Sequence, residues 1–184
     1  MNELLVTVPA ERFGVIGWSA GGPHALAAAA FSERVDAVAL VGSMPPPSLA
    51  RTLAPDVRHA TRAARFAPRF AARRLEAWGK EPVPPTGSPE TDAAYARGRV
   101  EAFKLGGRWL VQELAYLSRR WEFDPDDIRV PVALWWGDGD TVCPPVIGRA
   151  YADLLPNARL HIVEGTHQVL FPRWRDILLS VAQA

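Results

Sequence analysis

Apolar and polar positions along the chain fall into two rhythms. Short, nearly continuous apolar runs stand at 13–17 (FGVIG), 34–41 (RVDAVALV), 132–136 (VALWW) and 159–163 (RLHIV). Runs of this length and composition predict strands buried on both faces of a parallel sheet. Between and after them lie helical stretches. An alanine-rich run covers 24–31, with Pro23 in its first turn, where a missing N–H costs nothing. A second helix is expected over 146–155, after Pro144 and Pro145, and an amphipathic helix over 174–184 closes the chain. Residues 2–8 read as the end of a helix, stopped by Pro9. Strand, helix and strand follow one another in about 30 residues at the start, which is a βαβ unit, and the pattern βαβα returns at the end. The predicted class is α/β, with a core of about four parallel strands.

The middle of the chain breaks this alternation. Residues 44–120 hold Pro45, Pro46, Pro47, Pro82, Pro84, Pro85 and Pro89, several arginine-studded helical stretches, and no strand-like run. Arg58, Arg62, Arg65, Arg69 and Arg73 recur at helical spacing, interrupted at Pro68. Such a row reads either as a basic surface for anionic partners or as the solvated faces of short helices, and the neutral total charge favours the second. Residues 79–89 form a Pro/Gly-rich loop, and 91–118 predict one helix weakened at Gly106 and Gly107. The expected organisation is therefore a core of 1–43 and 121–184 with a helical insertion, 44–120, between strands.

Composition narrows the setting. A chain of 184 residues, 48% apolar and 22% charged, suits one domain with a sizeable core. Its formal net charge of +1 gives no steering toward nucleic acid or an anionic membrane. A single cysteine, Cys143, rules out an internal disulfide and fits a reducing compartment. No apolar run approaches the ~18 residues that span a bilayer, and no export signal is visible at the N-terminus. A cytoplasmic protein is expected.

The candidate chemistry starts in the first strand. It runs into Gly17-Trp18-Ser19-Ala20-Gly21 and then into the alanine-rich helix. A strand that enters a helix through G-x-S-x-G makes a turn so tight that its flanking positions call for glycine, and the serine hydroxyl stands clear of the backbone. Alternatively, Ser19 is an ordinary helix N-cap; the flanking glycines argue against that. Sites in open parallel sheets lie beyond the carboxyl ends of the strands. Ser19 follows the first strand there, Asp140 the third and His167 the fourth. Serine needs a base to become a nucleophile, imidazole is the base suited to neutral pH, and a carboxylate fixes its tautomer. Asp138 competes with Asp140, and Asp140 is preferred because it lies further out and precedes the 142–145 exit. His24 and His59 fall on helices, His161 inside a strand and Asp36 at the wrong end of its strand. Trp18 and Met44 are placed to line a substrate pocket or, for an aromatic beside such a turn, to belong to the core. Cys143 reads as a small buried hydrophobe. Phosphate-loop, dinucleotide, H-E-x-x-H and paired-cysteine motifs are missing, so neither cofactor nor metal is implied.

GWSAGG (17–22), LWWGDGDTVCPP (134–145) and EGTH (164–167) together resemble the signature regions of the α/β-hydrolase superfamily, and most of all the bacterial hydrolases whose elbow reads G-W-S-G-G-G-P-H. The resemblance extends over essentially the whole chain; WEFDPDDIRVPV (121–132) is similar to their return from a helical lid to the core. It implies that Ser19 is the nucleophile, Asp140 the acid and His167 the base. It also implies that the backbone N–H of Ala20 is one oxyanion-hole donor and that 44–120 is a lid. A serine hydrolase acting on a small ester-like substrate is the resulting expectation. Members of this superfamily place further strands, and a His-Gly loop with the second oxyanion donor, before the elbow, where this chain has about a dozen residues. On this comparison the fold is expected to be partial and the first strand an apolar sheet edge open to self-pairing. The alternative expectation is a non-catalytic remnant that binds a partner. A third, an arginine-rich RNA-binding protein, has little in its favour.

Overall fold

A computed structural model describes residues 10–82 and 85–182, and the helix end read at 2–8 lies outside them. Four strands, β1 (Phe13–Trp18), β2 (Val35–Val41), β3 (Val132–Gly137) and β4 (Ala158–Val163), form one sheet in the order β1-β2-β3-β4. Every pairing is parallel. The α/β class with four parallel strands is therefore observed, and each strand lies within two residues of its predicted bounds.

Alternation along the two central strands builds two cores. Val38, Leu40, Leu134 and Trp136 face one side, while Ala39, Val41, Ala133 and Trp135 face the other. The first side is covered by α1 (Gly21–Phe31), whose Ala25 and Leu26 are buried, and by the helix Pro145–Leu154, through Ile147 and Tyr151. The second is covered by the helix Trp174–Ala182, through Ile177, and by Val169. Leu40 and Leu134 are fully buried, and side chains of this size contribute roughly 1.5–3 kcal/mol each on leaving water. This double burial explains why β2, apart from Asp36, and β3 read as apolar runs.

Between β2 and β3 the described residues form four α-helices, α2 (Pro55–Phe66), α3 (Pro68–Gly79), α4 (Pro89–Ala102) and α5 (Arg108–Leu117). The core helices Pro145–Leu154 and Trp174–Ala182 are accordingly α6 and α7. Each of α2, α3 and α4 starts on a proline, which is pre-set for a first helical turn. Arg62, Arg65, Arg69 and Arg73 are exposed, as expected of solvated faces. The single helix predicted over 91–118 is corrected to two. The chain breaks at 103–107, where Gly106 takes φ +84° and Glu76 of α3 accepts a hydrogen bond from the Gly107 N–H at 3.0 Å. A long-range carboxylate thus fixes where α5 begins. No helix among the described residues is long and apolar enough to cross a membrane.

Candidate active site

The carboxyl ends of β1, β3 and β4 bring Ser19, Asp140 and His167 together. Ser19 has φ +54°, the one non-glycine residue with positive φ among those described. An L-residue held there costs about 1–2 kcal/mol, so its surroundings must impose it. They do so through the backbone. The Ser19 N–H donates to the Val41 carbonyl at 3.0 Å, and the Ser19 carbonyl accepts from Gly22 N–H at 3.2 Å and Met44 N–H at 3.0 Å. The turn is also crowded. A Cβ on Gly17 would lie 2.6 Å from the Gly21 carbonyl oxygen, and one on Gly22 would lie 1.9 Å from Ser43 Oγ. Gly21, in contrast, has open space around its would-be Cβ. The glycine requirement predicted for both flanks of the motif is corrected: it holds at Gly17 and falls on Gly22 rather than Gly21.

Ser19 is not the helix cap. The N-cap of α1 is Ala20, and the Ser19 side chain turns to His167, with Oγ 2.9 Å from Nε2. His167 Nδ1 lies 2.8 Å from Asp140 Oδ2. The other oxygen of Asp140 accepts from Val142 N–H at 2.9 Å and Cys143 N–H at 2.8 Å. The Asp140 side chain is fully buried, and these three donors satisfy it. An ionised carboxylate only accepts, so the bond to Nδ1 requires the imidazole proton there. Nε2 is left as the acceptor for the Ser19 hydroxyl.

The two loops that carry acid and imidazole are laced together. Asp138, the competitor for the acid role, accepts from Gly165 N–H at 3.1 Å, and the Gly139 N–H donates to the Gly165 carbonyl at 2.9 Å. A Cβ on Gly137 would sit 2.5 Å from the carbonyl oxygens of both Gly165 and Thr166. Gly42, at the exit of β2, has φ +47°, and a Cβ there would meet Asp140 Oδ2 at 3.0 Å and His167 Nδ1 at 3.2 Å. Sequence reading did not single out Gly42; its signal is only a glycine directly after a buried strand.

Met44 is buried, at 6% exposure, within the core under the elbow. Its main chain does the bonding: the carbonyl accepts from Tyr151 Oη at 2.6 Å, and the N–H supports Ser19. Burial pushes the Tyr151 phenol up from its ordinary value and keeps it a donor. Cys143 is fully buried, and desolvation, helped by the charge of Asp140, raises its thiol far above the usual range. It is the inert hydrophobe expected. Trp18 stands beside the histidine, ring centroids 5.6 Å apart, and packs on Tyr95 of α4 and on Phe171. His24 pairs with Glu113 of α5 at 2.5 Å, and His161 stacks on Trp135 at 4.3 Å; both lie outside the Ser19 cluster. Asp36 pairs with Arg12, away from the site. Among the described residues no three His, Cys, Asp or Glu side chains are grouped to hold a metal ion.

A parallel sheet with a strained serine after one strand, and a carboxylate and an imidazole after two others, is the arrangement of α/β-hydrolase folds. The family model for the alpha/beta hydrolase fold matches residues 1–173, and the chain belongs to that family. Solved structures agree on the fold. The chain is similar to an esterase from Rhodococcus sp. ECU1013, with 23% identity, a TM-score of 0.63, and coverage of 97% of this chain and 69% of that one. It is similar to an esterase from Exiguobacterium antarcticum (16%, TM-score 0.66, coverage 99% and 69%). A bromoperoxidase from Bacillus anthracis is also similar (15%, TM-score 0.69, coverage 99% and 70%). No curated protein matches the chain.

Proposed function

We propose that the protein is a serine hydrolase that cleaves an ester or related acyl bond through an acyl-Ser19 intermediate. The observation that carries this reading is the unbroken relay from Ser19 Oγ to His167 Nε2 and from His167 Nδ1 to Asp140 Oδ2, at 2.9 and 2.8 Å. In the first half-reaction Ser19 Oγ attacks the acyl carbon while Nε2 takes its proton. Collapse of the tetrahedral intermediate breaks the bond to the leaving alcohol, which receives that proton from Nε2. Water then attacks the acyl-serine, again giving a proton to Nε2, and the acid departs as Ser19 Oγ is reprotonated. Asp140 holds the tautomer and stabilises the imidazolium. The Ala20 N–H, at the N-terminus of an 11-residue helix with no side-chain cap bond, is the oxyanion donor in this scheme.

Residues 44–120 act as the lid over the acyl or alcohol pocket, and Tyr95 beside Trp18 supports that role. Trp18 borders the imidazole of His167 in the same cluster. The substrate is a small molecule, and the near-neutral charge supports neither nucleic acid nor a membrane as partner. The reading is cytoplasmic and cofactor-free. Acyl chemistry is supported by the esterases and the N-acyl homoserine lactone degrading enzyme among the proteins of similar fold, which also include a bromoperoxidase.

Turnover of p-nitrophenyl esters of increasing chain length tests the proposal. Ser19→Ala and His167→Ala are each expected to lower kcat by at least ~10³-fold while melting cooperatively. Wild-type turnover in either variant would reject the assignment.

A further inference from the structure

The sheet by itself does not bring the hydroxyl and the imidazole together. Ser19 follows β1 and His167 follows β4, the two outermost strands of the order β1-β2-β3-β4. Three interstrand spacings separate them, about 14 Å in the plane of the sheet. The loop after β4 therefore reaches back across the ends of β3 and β2. Asp140 supports the ring from β3, and Gly42 leaves room for it at the end of β2. What fixes the far end of this reach, against the end of β1, is a pair of hydrogen bonds that His167 accepts from neighbouring residues. The His167 side chain bonds Ser19 Oγ at 2.9 Å, and the Trp18 indole N–H donates to the His167 main-chain carbonyl at 2.8 Å.

We propose that Trp18 is a positioning residue for the base: its indole N–H clamps the backbone of His167 so that the imidazole meets Ser19 at bonding distance and in the right orientation. The assignment rests on the reading of His167 as general base. The bonds to Ser19 and Asp140 hold the two ring nitrogens but leave the main chain behind the ring free to shift. The indole bond, from the residue next to Ser19, removes that freedom. The indole is itself held. Phe171 meets it edge-on at 5.3 Å and 76°, and Tyr95 lies 5.7 Å away. Tyr95 and Phe171 also touch each other, at 5.6 Å, which closes a three-ring cluster. The x of this G-x-S-x-G turn thereby has a duty that an apolar residue of equal size would not perform.

Trp18→Phe keeps an aromatic ring and removes the donor. With p-nitrophenyl acetate, kcat is expected to fall about tenfold or more with KM within about twofold, because the loss is in the placement of the base rather than in ground-state binding. By proton NMR the downfield Nδ1–H resonance of the His167–Asp140 bond is expected to broaden or exchange with solvent at least ~10-fold faster than in wild type. Should Trp18→Phe fold poorly, 3-benzothienylalanine at position 18 replaces N–H by sulfur in the same outline, and the same losses are expected. An unchanged kcat with an unchanged resonance would overturn the proposal. A raised KM at constant kcat would overturn it too, making Trp18 a substrate-contact wall. If the wild-type protein hydrolyses no ester, the serine-hydrolase reading fails, and the NMR comparison still decides whether the indole holds the imidazole.

Discussion

Two residues of the site sit in left-handed backbone, and they do so for different reasons. Ser19 at φ +54° carries a side chain that must stand clear of the turn, so its strain is held in place by three backbone hydrogen bonds. Gly42 at φ +47° carries none, and a Cβ there would press on Asp140 Oδ2 and His167 Nδ1. Gly42→Ala combines about 1–2 kcal/mol of backbone strain with displacement of the acid–base pair. The expected outcome is a melting point lowered by several degrees together with a drop in kcat of about 10²-fold, since a misplacement of ~1 Å carries that cost. Steady-state kinetics and thermal unfolding on one preparation check both. The contrast also marks what a sequence can convey. Ser19, Asp140 and His167 were legible because each has a chemistry and a strand end to follow. Gly42 was not, because its importance is a distance to residues about 100 positions away, and a lone glycine carries no mark of that.

At the level of elements, the turn from β1 into α1 divides its glycines by contact rather than by motif. A Cβ on Gly17 would lie 2.6 Å from the Gly21 carbonyl oxygen and 2.8 Å from Ala25 Cβ, whereas one on Gly21 would meet nothing within 4 Å. Gly17→Ala is expected to force the strand and helix apart, lowering stability by about 2 kcal/mol or more and abolishing activity. Gly21→Ala lies in the first turn of α1 and is expected to be neutral or stabilising by about 0.4–1 kcal/mol. Urea unfolding of the two variants side by side checks the asymmetry. The strands were readable for a plain reason: β2 and β3 are buried on both faces, so their composition alone sets them apart. The helix break at 103–107 was not, because Gly106 and Gly107 weaken a helix without saying that it ends. The deciding partner, Glu76, is 31 residues upstream of Gly107. Met44 followed the same rule: adjacency to the site suggested a pocket wall, and packing beneath the elbow put it in the core.

For the whole molecule, the sheet order has two consequences. β1 is an outer strand, bonded within the described residues to β2 only, and its Val15 and Ile16 are half-buried. We propose that a second copy pairs along β1, so the sedimentation coefficient should rise with concentration; a single monomeric species over a hundredfold dilution range would refute this. The same order sends the loop after β4 across the full width of the sheet to reach Ser19. The site therefore depends on the packing of the entire core rather than on any one segment. The central claim is that this packing makes Ser19 a nucleophile. Its most direct test is covalent: the folded protein is treated with a fluorophosphonate, and the intact mass and labelled peptide are determined. One adduct is predicted, on the peptide containing Ser19, formed at a rate that Asp140→Asn reduces by orders of magnitude and absent from Ser19→Ala. Equal labelling of wild type and Ser19→Ala, or no adduct on the wild-type protein, would contradict the account.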